Sequence, residues 1–125
     1  MTINTNLNGV YFVAREVGKV MIKQNYGKII NIGSIHSTVS MNGSPISAYC
    51  ASKGGVAMLT KALACEWAKY NITVNAIGPA YFESEMTDQV INTPEFAQAV
   101  MAYCPMGRVG KAGELDGAVV YFASD

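Results

Sequence analysis

The sequence predicts an α/β fold in which helices cover a parallel sheet. Segments with helical periodicity alternate with short apolar runs in the order helix–strand–helix–strand–helix, which is typical of parallel strands joined by helical crossovers. Half of the 125 residues are apolar and 14% are charged, so a disordered chain is excluded. The length is that of one domain or part of one.

A first helix is expected over residues 7–24, where apolar side chains recur at helical spacing until Asn25-Tyr26-Gly27 ends the segment. The apolar positions are Val10, Val13, Ala14, Val17 and Met21. Residues 28–33 follow as a short apolar run, the profile of a buried parallel strand. Residues 34–47 are rich in Ser, Gly, Asn and Pro and predict a loop.

A long helix is predicted over residues 48–69, and a second strand over residues 72–77 that Gly78 and Pro79 end. Residues 78–111 then form a long excursion with short helices, and Thr93-Pro94-Glu95 is the signature of a capped helix start. A last helix is expected from near Gly113.

Charge and cysteine usage exclude several classes of function. Lysine plus arginine equals aspartate plus glutamate at nine each, so no basic surface is predicted to attract nucleic acid. The uncharged stretches are too broken by polar residues to cross a membrane. Cys50, Cys65 and Cys104 have no metal-ligand spacing, and one histidine cannot complete a Cys/His site, so no metal is expected. A reduced, cytoplasmic setting is the simplest interpretation.

Tyr49 and Lys53 stand four residues apart on the long helix and therefore share one face. Taken alone, this spacing is common and carries little weight. Ser34, however, ends the first predicted strand, at the carboxyl edge where open α/β sheets bind ligands. Asn6 lies just before the first predicted helix. These four residues are the candidates for chemistry.

Five stretches, in this order, resemble the short-chain dehydrogenase/reductase family in its branch with a Tyr-x-x-x-Lys motif. The stretches are Asn6-Leu7-Asn8-Gly9-Val10, Gly27-Lys28-Ile29-Ile30-Asn31-Ile32-Gly33-Ser34, Tyr49-Cys50-Ala51-Ser52-Lys53-Gly54-Gly55, Asn71-Ile72-Thr73-Val74-Asn75-Ala76-Ile77-Gly78-Pro79 and Pro105-Met106-Gly107-Arg108-Val109-Gly110. The resemblance implies an NAD- or NADP-dependent oxidoreductase that acts on a CH–OH/C=O pair.

The resemblance also implies a role for each candidate. Tyr49 would be the general acid/base, and the Lys53 ammonium would stabilise its phenolate and bind the nicotinamide ribose. Ser34 would hold the substrate oxygen beside Tyr49. Asn6 would support a water-linked proton relay to Lys53.

Further positions match the part of the family that contacts the cofactor. Pro79, Tyr81 and Phe82 correspond to the segment that lies against the nicotinamide, and Ser84 stands where the family usually has Thr to contact the carboxamide. Ala80 is a departure, because many members have Gly there. A backbone conformation that alanine tolerates is expected at this position.

Motifs of the other half of the family are absent from this sequence. The chain contains neither the glycine-rich turn that approaches the cofactor pyrophosphate nor an Asn-Asn-Ala-Gly motif. Residues 1–125 are therefore expected to be the C-terminal part of a single Rossmann-like, doubly wound domain, without the N-terminal βαβ cofactor half and without the last strand. Such a chain is expected neither to bind the cofactor tightly nor to turn over alone.

The substrate implied by the resemblance is a small alcohol or ketone. Residues 77–87 look most like the sugar-acid dehydrogenases of the family, the gluconate 5-dehydrogenases among them. The 3-oxoacyl-carrier-protein reductases share the same proton machinery and are the alternative enzyme. A third hypothesis is a non-catalytic interaction module, since the helices that follow Asn6 and carry Tyr49 commonly pack across the family's dimer interface. The parent enzyme is expected to be a homo-oligomer.

Each of two further side chains can be interpreted either as structural or as a substrate contact. His36, two residues beyond Ser34, is interpreted as an ordinary loop histidine, with a substrate contact as the alternative. Arg108 is interpreted as the partner of a salt bridge to the last helix, again with a substrate contact as the alternative.

Overall fold

The computed structural model describes residues 1–85 and 87–125, with only the backbone of Asp88 and Val90. These residues form two compact units, one of residues 1–79 with 118–125 and the other of residues 80–117. The second unit overlaps the excursion that the sequence predicts at residues 78–111.

The first helix begins earlier than predicted. A π-helical turn spans Asn4–Asn8 and continues directly into helix α1, Gly9–Gln24. Asparagine is a poor helix former. Because this turn contains three asparagines, the apolar periodicity does not reveal that the helix starts here. The side chain of Asn8 donates a hydrogen bond to that of Asn4 across 2.9 Å and closes the turn.

Two parallel strands confirm the predicted α/β class. Strand β1 spans Gly27–Ile32 and strand β2 spans Ile72–Ile77, in a register that runs from Gly27 opposite Ile72 to Ile32 opposite Ile77. An asparagine in the left-handed conformation precedes each strand, Asn25 with φ 52° and Asn71 with φ 54°. Asparagine tolerates this conformation better than most residues, so each helical segment turns sharply into its strand.

Helix α2, Ser47–Trp67, connects the two strands and continues into a 3₁₀ turn, Ala68–Tyr70. The hydrophobic core of the first unit forms where α1 and α2 meet the sheet. Its buried members are Ala14, Leu63, Ile72 and Val74. A Cβ added at Gly18 of α1 would lie 2.5 Å from the Trp67 ring, so only glycine permits this close approach.

The second unit contains the two short helices α3, Asp88–Ile91, and α4, Pro94–Tyr103. The predicted cap is confirmed, because the Thr93 hydroxyl accepts a hydrogen bond from the backbone N–H of Phe96 across 3.3 Å. Phe82 pairs through its backbone with Gly110.

The last helix, α5, spans Asp116–Ala123 and starts later than predicted. Gly113 has a φ of 88° and belongs to the preceding turn. The Glu114 carboxylate in that turn accepts two hydrogen bonds from the Arg108 guanidinium, at 2.8 and 2.9 Å. The predicted salt bridge of Arg108 is therefore present, but its partner lies before the last helix.

In the part of the chain that the structure describes, no helix is long and apolar enough to cross a membrane. The same residues contain no group of three side chains placed to hold a metal ion.

Candidate active site

Ser34 lies immediately after β1, at the carboxyl edge of the sheet, and caps the 3₁₀ turn Ile35–Ser37. Its hydroxyl oxygen accepts a hydrogen bond from the His36 N–H at 3.1 Å, and its own N–H donates to the Ser37 hydroxyl at 3.2 Å. Within the described residues the Ser34 hydroxyl donates no hydrogen bond. One of its two acceptor positions is thus occupied by the backbone, and its proton is available for donation.

Tyr49 and Lys53 stand on one face of α2, as predicted. The Lys53 ammonium donates a hydrogen bond to the carbonyl of Ile32 at 2.9 Å, and it lies 5.9 Å from the centre of the Tyr49 ring. Ile32 is the last residue of β1, two positions before Ser34. This single hydrogen bond therefore brings the Tyr/Lys face of the helix to the strand end that carries Ser34.

The ends of the two strands are joined beside Ser34. The Ile35 N–H donates to the carbonyl of Pro79 across 2.9 Å. A Cβ added at Gly78 would lie 3.2 Å from the Ser34 carbonyl oxygen, so a glycine at this position permits the close approach. Pro79, one of the predicted cofactor contacts, is thereby held next to the turn that Ser34 caps.

His36 contacts Tyr49. The interpretation of His36 as an ordinary loop histidine did not predict this contact. The two rings meet edge to face, with centres 6.0 Å apart and planes at 75°. The His36 Nδ1 lies 3.1 Å from the carbonyl oxygen of Val39. An edge-to-face contact of this kind depends on the path of the loop, which the spacing of residues in the sequence does not reveal.

Asn6 is connected to the Tyr49 region through a residue that the sequence did not single out. The Asn6 side-chain amide donates to the Ser52 hydroxyl at 3.3 Å, and that hydroxyl donates to the Tyr49 carbonyl at 2.7 Å. Ser52 is completely buried. The one sequence feature that could have indicated its burial is that Ser52 falls on the apolar stripe of the long helix, next to Lys53.

Asn6 and Lys53 also open onto one groove of about 480 Å³ between α1 and β1. The rest of its lining is mostly apolar: Thr5, Gly9, Val10, Val13, Ala14, Val17, Ile29, Ile30, Asn31 and Ile32.

Tyr81 and Phe82 lie in the second unit, where both rings take part in packing. Tyr81 meets Phe96 edge to face at 5.1 Å. Burial, and secondarily the neighbouring Tyr103, raises the pKa of Tyr81 above its ordinary value. A Cβ at Gly110 would lie 2.3 Å from the Phe82 ring, so the ring covers this glycine.

Ser84 also belongs to the second unit, and its hydroxyl lies 3.0 Å from that of Thr87. The contacts of Tyr81, Phe82 and Ser84 with a cofactor stay predictions. Ala80 does not have a positive φ, because in the described part of the chain Asn25 and Asn71 are the non-glycine residues that do. The expectation that alanine is tolerated there is confirmed.

The side chains around Tyr49 fit the nicotinamide end of a dinucleotide. The Lys53 ammonium and the Tyr49 hydroxyl are hydrogen-bond donors suited to ribose hydroxyls. The pyrophosphate end has no matching glycine-rich turn in the sequence.

Comparison with known proteins agrees with the motifs. The family model described as enoyl-(acyl carrier protein) reductase matches residues 1–125. Gluconate 5-dehydrogenase from Gluconobacter oxydans is 38% identical over 122 residues, which are 98% of this chain and 47% of that protein. Galactitol 2-dehydrogenase (L-tagatose-forming) from Cereibacter sphaeroides is 38% identical over 119 residues, 95% of this chain and 47% of that protein.

A solved structure shows the same arrangement of elements. The crystal structure of a gluconate 5-dehydrogenase from Burkholderia cenocepacia, in complex with NADP and tartrate, has a TM-score of 0.89 and 40% sequence identity. The match covers 95% of this chain and 46% of that one. The chain therefore spans about half the length of the relatives it matches, in agreement with the predicted partial sheet.

Proposed function

Because the chain belongs to the short-chain dehydrogenase/reductase family, we propose that it carries the proton-transfer residues of an NAD(P)-dependent oxidoreductase acting on a CH–OH/C=O pair. The observation that supports this most is the hydrogen bond from Lys53 to Ile32. It holds the Tyr49 face of α2 against the strand end where the Ser34 hydroxyl has a proton to donate.

In the oxidation direction, the Ser34 hydroxyl donates a hydrogen bond to the substrate oxygen and orients it toward Tyr49. The Tyr49 phenolate accepts the hydroxyl proton, and the nearby Lys53 ammonium stabilises the negative charge before the transfer. Bound NAD(P)⁺ supplies the hydride acceptor for the carbon atom. The proton that Tyr49 receives leaves toward solvent past Lys53 and Asn6, which share one groove. In the reduction direction, Tyr49 protonates the carbonyl oxygen.

The proposed substrate class is a sugar acid or a polyol. The relatives named for gluconate and for galactitol support this class, as does the resemblance of residues 77–87 to sugar-acid dehydrogenases. The unpaired thiols of Cys50, Cys65 and Cys104 support a reducing, cytoplasmic setting.

A homo-oligomer is proposed for the parent enzyme. Exposed apolar side chains on α1 support this, since Tyr11, Phe12 and Val20 are 43%, 51% and 55% exposed. Light scattering of the chimera described below tests the proposal: the chimera is expected to be oligomeric, its Phe12→Ser variant is expected to dissociate, and a monomeric chimera contradicts the proposal.

The proposed chemistry is tested by joining residues 1–125 to the complementary half of the Gluconobacter oxydans gluconate 5-dehydrogenase. This chimera is expected to reduce NADP⁺ with gluconate, measured at 340 nm. Tyr49→Phe and Lys53→Met are each expected to lower kcat about 100-fold or more, because they remove the acid/base group and the cation beside it. Tyr121→Phe is the matched control, because Tyr121 is 75% exposed. A folded chimera whose activity survives Tyr49→Phe contradicts the proposal.

A further inference from the structure

We infer that His36 is a specificity-determining residue whose Nε2 accepts a hydrogen bond from a substrate hydroxyl beside the reacting carbon. The inference rests on the proposed function, since it takes Tyr49 and Ser34 as the groups that bind the reacting oxygen. It assigns to His36 a choice among substrates and no part in the proton transfer.

The tautomer of His36 follows from its hydrogen bond to Val39. The carbonyl oxygen of Val39, 3.1 Å from Nδ1, can only accept a hydrogen bond, so Nδ1 carries the proton. In the neutral imidazole the other ring nitrogen, Nε2, is then a lone-pair acceptor. The turn itself is closed, since the Val39 N–H donates to the carbonyl of Ile35 at 3.3 Å.

Nε2 of His36 is available to a ligand. It makes no hydrogen bond to any residue that the structure describes. Among those residues, no buried side-chain nitrogen or oxygen lacks a partner. An unpaired Nε2 on this half-buried side chain must therefore reach solvent.

His36 is connected to both proposed oxygen-binding residues. Its backbone N–H holds the Ser34 hydroxyl at 3.1 Å, and its ring leans on the Tyr49 ring at 6.0 Å. If the reacting oxygen of a substrate lies between Ser34 and Tyr49, the substituents on the neighbouring carbon atoms lie near the His36 imidazole. The Lys53 ammonium lies 5.9 Å from the Tyr49 ring centre.

An acceptor at this position selects for a hydroxyl donor. Polyols and sugar acids have a hydroxyl on the carbon next to the reacting one, whereas a simple cyclic alcohol or a 3-oxoacyl chain has none. A site that offers an unpaired acceptor rejects ligands that leave it without a hydrogen bond. This geometry favours the sugar-acid and polyol class over the 3-oxoacyl class.

The inference is testable on the full 125-residue chain, because its sequence contains one histidine and NMR of ¹⁵N-labelled imidazole therefore gives one set of signals. Nδ1 is expected to carry the proton in the free chain. Galactitol and gluconate are expected to shift the Nε2 signal saturably, and cyclohexanol, with its single hydroxyl, is expected to leave it unchanged. A proton on Nε2 in the neutral form overturns the inference.

Two variants complete the test. His36→Phe keeps a ring against Tyr49 but removes the acceptor, so galactitol affinity read at the Tyr49 ring signals should fall about tenfold, the effect of one lost hydrogen bond. His36→Gln retains a side-chain acceptor and should recover part of the loss. If galactitol shifts Tyr49 but not Nε2 of His36, the inference is wrong while the proposed function stands. If neither ring responds to galactitol or gluconate, the inference is wrong, and the activity of the chimera and of its Tyr49→Phe variant decides the proposed function separately.

Discussion

The side-chain amide of Asn6 donates a hydrogen bond to the Ser52 hydroxyl, and this bond joins two helical segments 46 residues apart in the sequence. Ser52 passes the connection on to the Tyr49 carbonyl at 2.7 Å. The predicted relay residue and the predicted acid/base residue are thus positioned by one buried hydroxyl that takes no part in the proposed reaction.

Ser52→Ala is expected to lower the free energy of unfolding by about 1 kcal/mol, because the Asn6 amide loses its acceptor. Denaturant unfolding followed by circular dichroism measures the change. Ser47→Ala, on an exposed residue of the same helix, is the control and should change stability by less than about 0.5 kcal/mol. Equal stability of the two variants would show that the Asn6–Ser52 bond contributes nothing.

Two glycine-to-alanine substitutions on helices are expected to act in opposite directions. At Gly18 the new methyl group would overlap the Trp67 ring, and overpacking costs roughly 1–3 kcal/mol. At Gly117 of α5 the methyl group meets nothing within 4 Å, so helix propensity should stabilise the protein by about 0.5–1 kcal/mol. Thermal unfolding of both variants distinguishes them. A stabilised Gly18→Ala variant would show that Trp67 moves freely aside.

The Glu114 carboxylate is expected to stay ionised well below the ordinary pKa of a glutamate, 4.5. Hydrogen bonds from Arg108, and next from the Lys111 backbone, lower the pKa of Glu114 to about 2. Because the folded value lies below the ordinary 4.5, the stabilisation is complete above pH 4.5 and disappears as the pH falls through about 2.

A carboxyl ¹³C titration locates this midpoint. Arg108→Met should raise the pKa of Glu114 toward its ordinary value. A wild-type midpoint near 4.5 would contradict the Arg108–Glu114 geometry.

The last residue is expected to be bound most firmly in the middle of the pH range. The Tyr26 hydroxyl donates to the Asp125 carboxylate at 2.7 Å, and Lys28 lies 3.2 Å from the same oxygen. The Tyr26 hydrogen bond, and next Lys28, lower the pKa of Asp125, while the bond to Asp125 raises that of Tyr26. The Asp125 contribution is present above its ordinary 3.8 and is lost as pH falls. The Tyr26 contribution is present below 10.0 and is lost as pH rises.

Phenolate absorbance at 295 nm and amide exchange near residue 125 report this pair. Tyr26→Phe should increase exchange there at neutral pH, and Tyr121→Phe should leave it unchanged. Identical exchange in wild type and Tyr26→Phe would refute the role of this bond.

The 125-residue chain is expected to bind NAD(H) or NADP(H) only weakly by itself, because it has no glycine-rich turn for the pyrophosphate. Isothermal titration with both cofactors measures the affinity. The chimera proposed above provides the positive control. Micromolar binding by the chain alone would overturn this expectation.

The features that depend on neighbouring residues could be predicted from the sequence. Strand β2 lies where its apolar run predicts it, and the Thr93 cap has the predicted partner. The π-helical turn was missed because its asparagines lack an apolar period. The contact of His36 with Tyr49 and the burial of Ser52 depend on how a loop and two helices meet, which no local spacing encodes.

Asn25 and Asn71 matter for the order of folding events. The Asn71 side-chain amide reaches the Asn25 carbonyl at 3.5 Å, and the Gly27 N–H donates to the Asn71 carbonyl at 3.4 Å. Parallel strands cannot pair until the intervening helix has brought their beginnings together, so loop closure limits the rate. Because the two left-handed asparagines meet at this end of the sheet, we expect the first rung of the ladder to form there. Pairing is then expected to proceed toward Ser34, and the edge of the sheet that carries the proposed acid/base site would become ordered last.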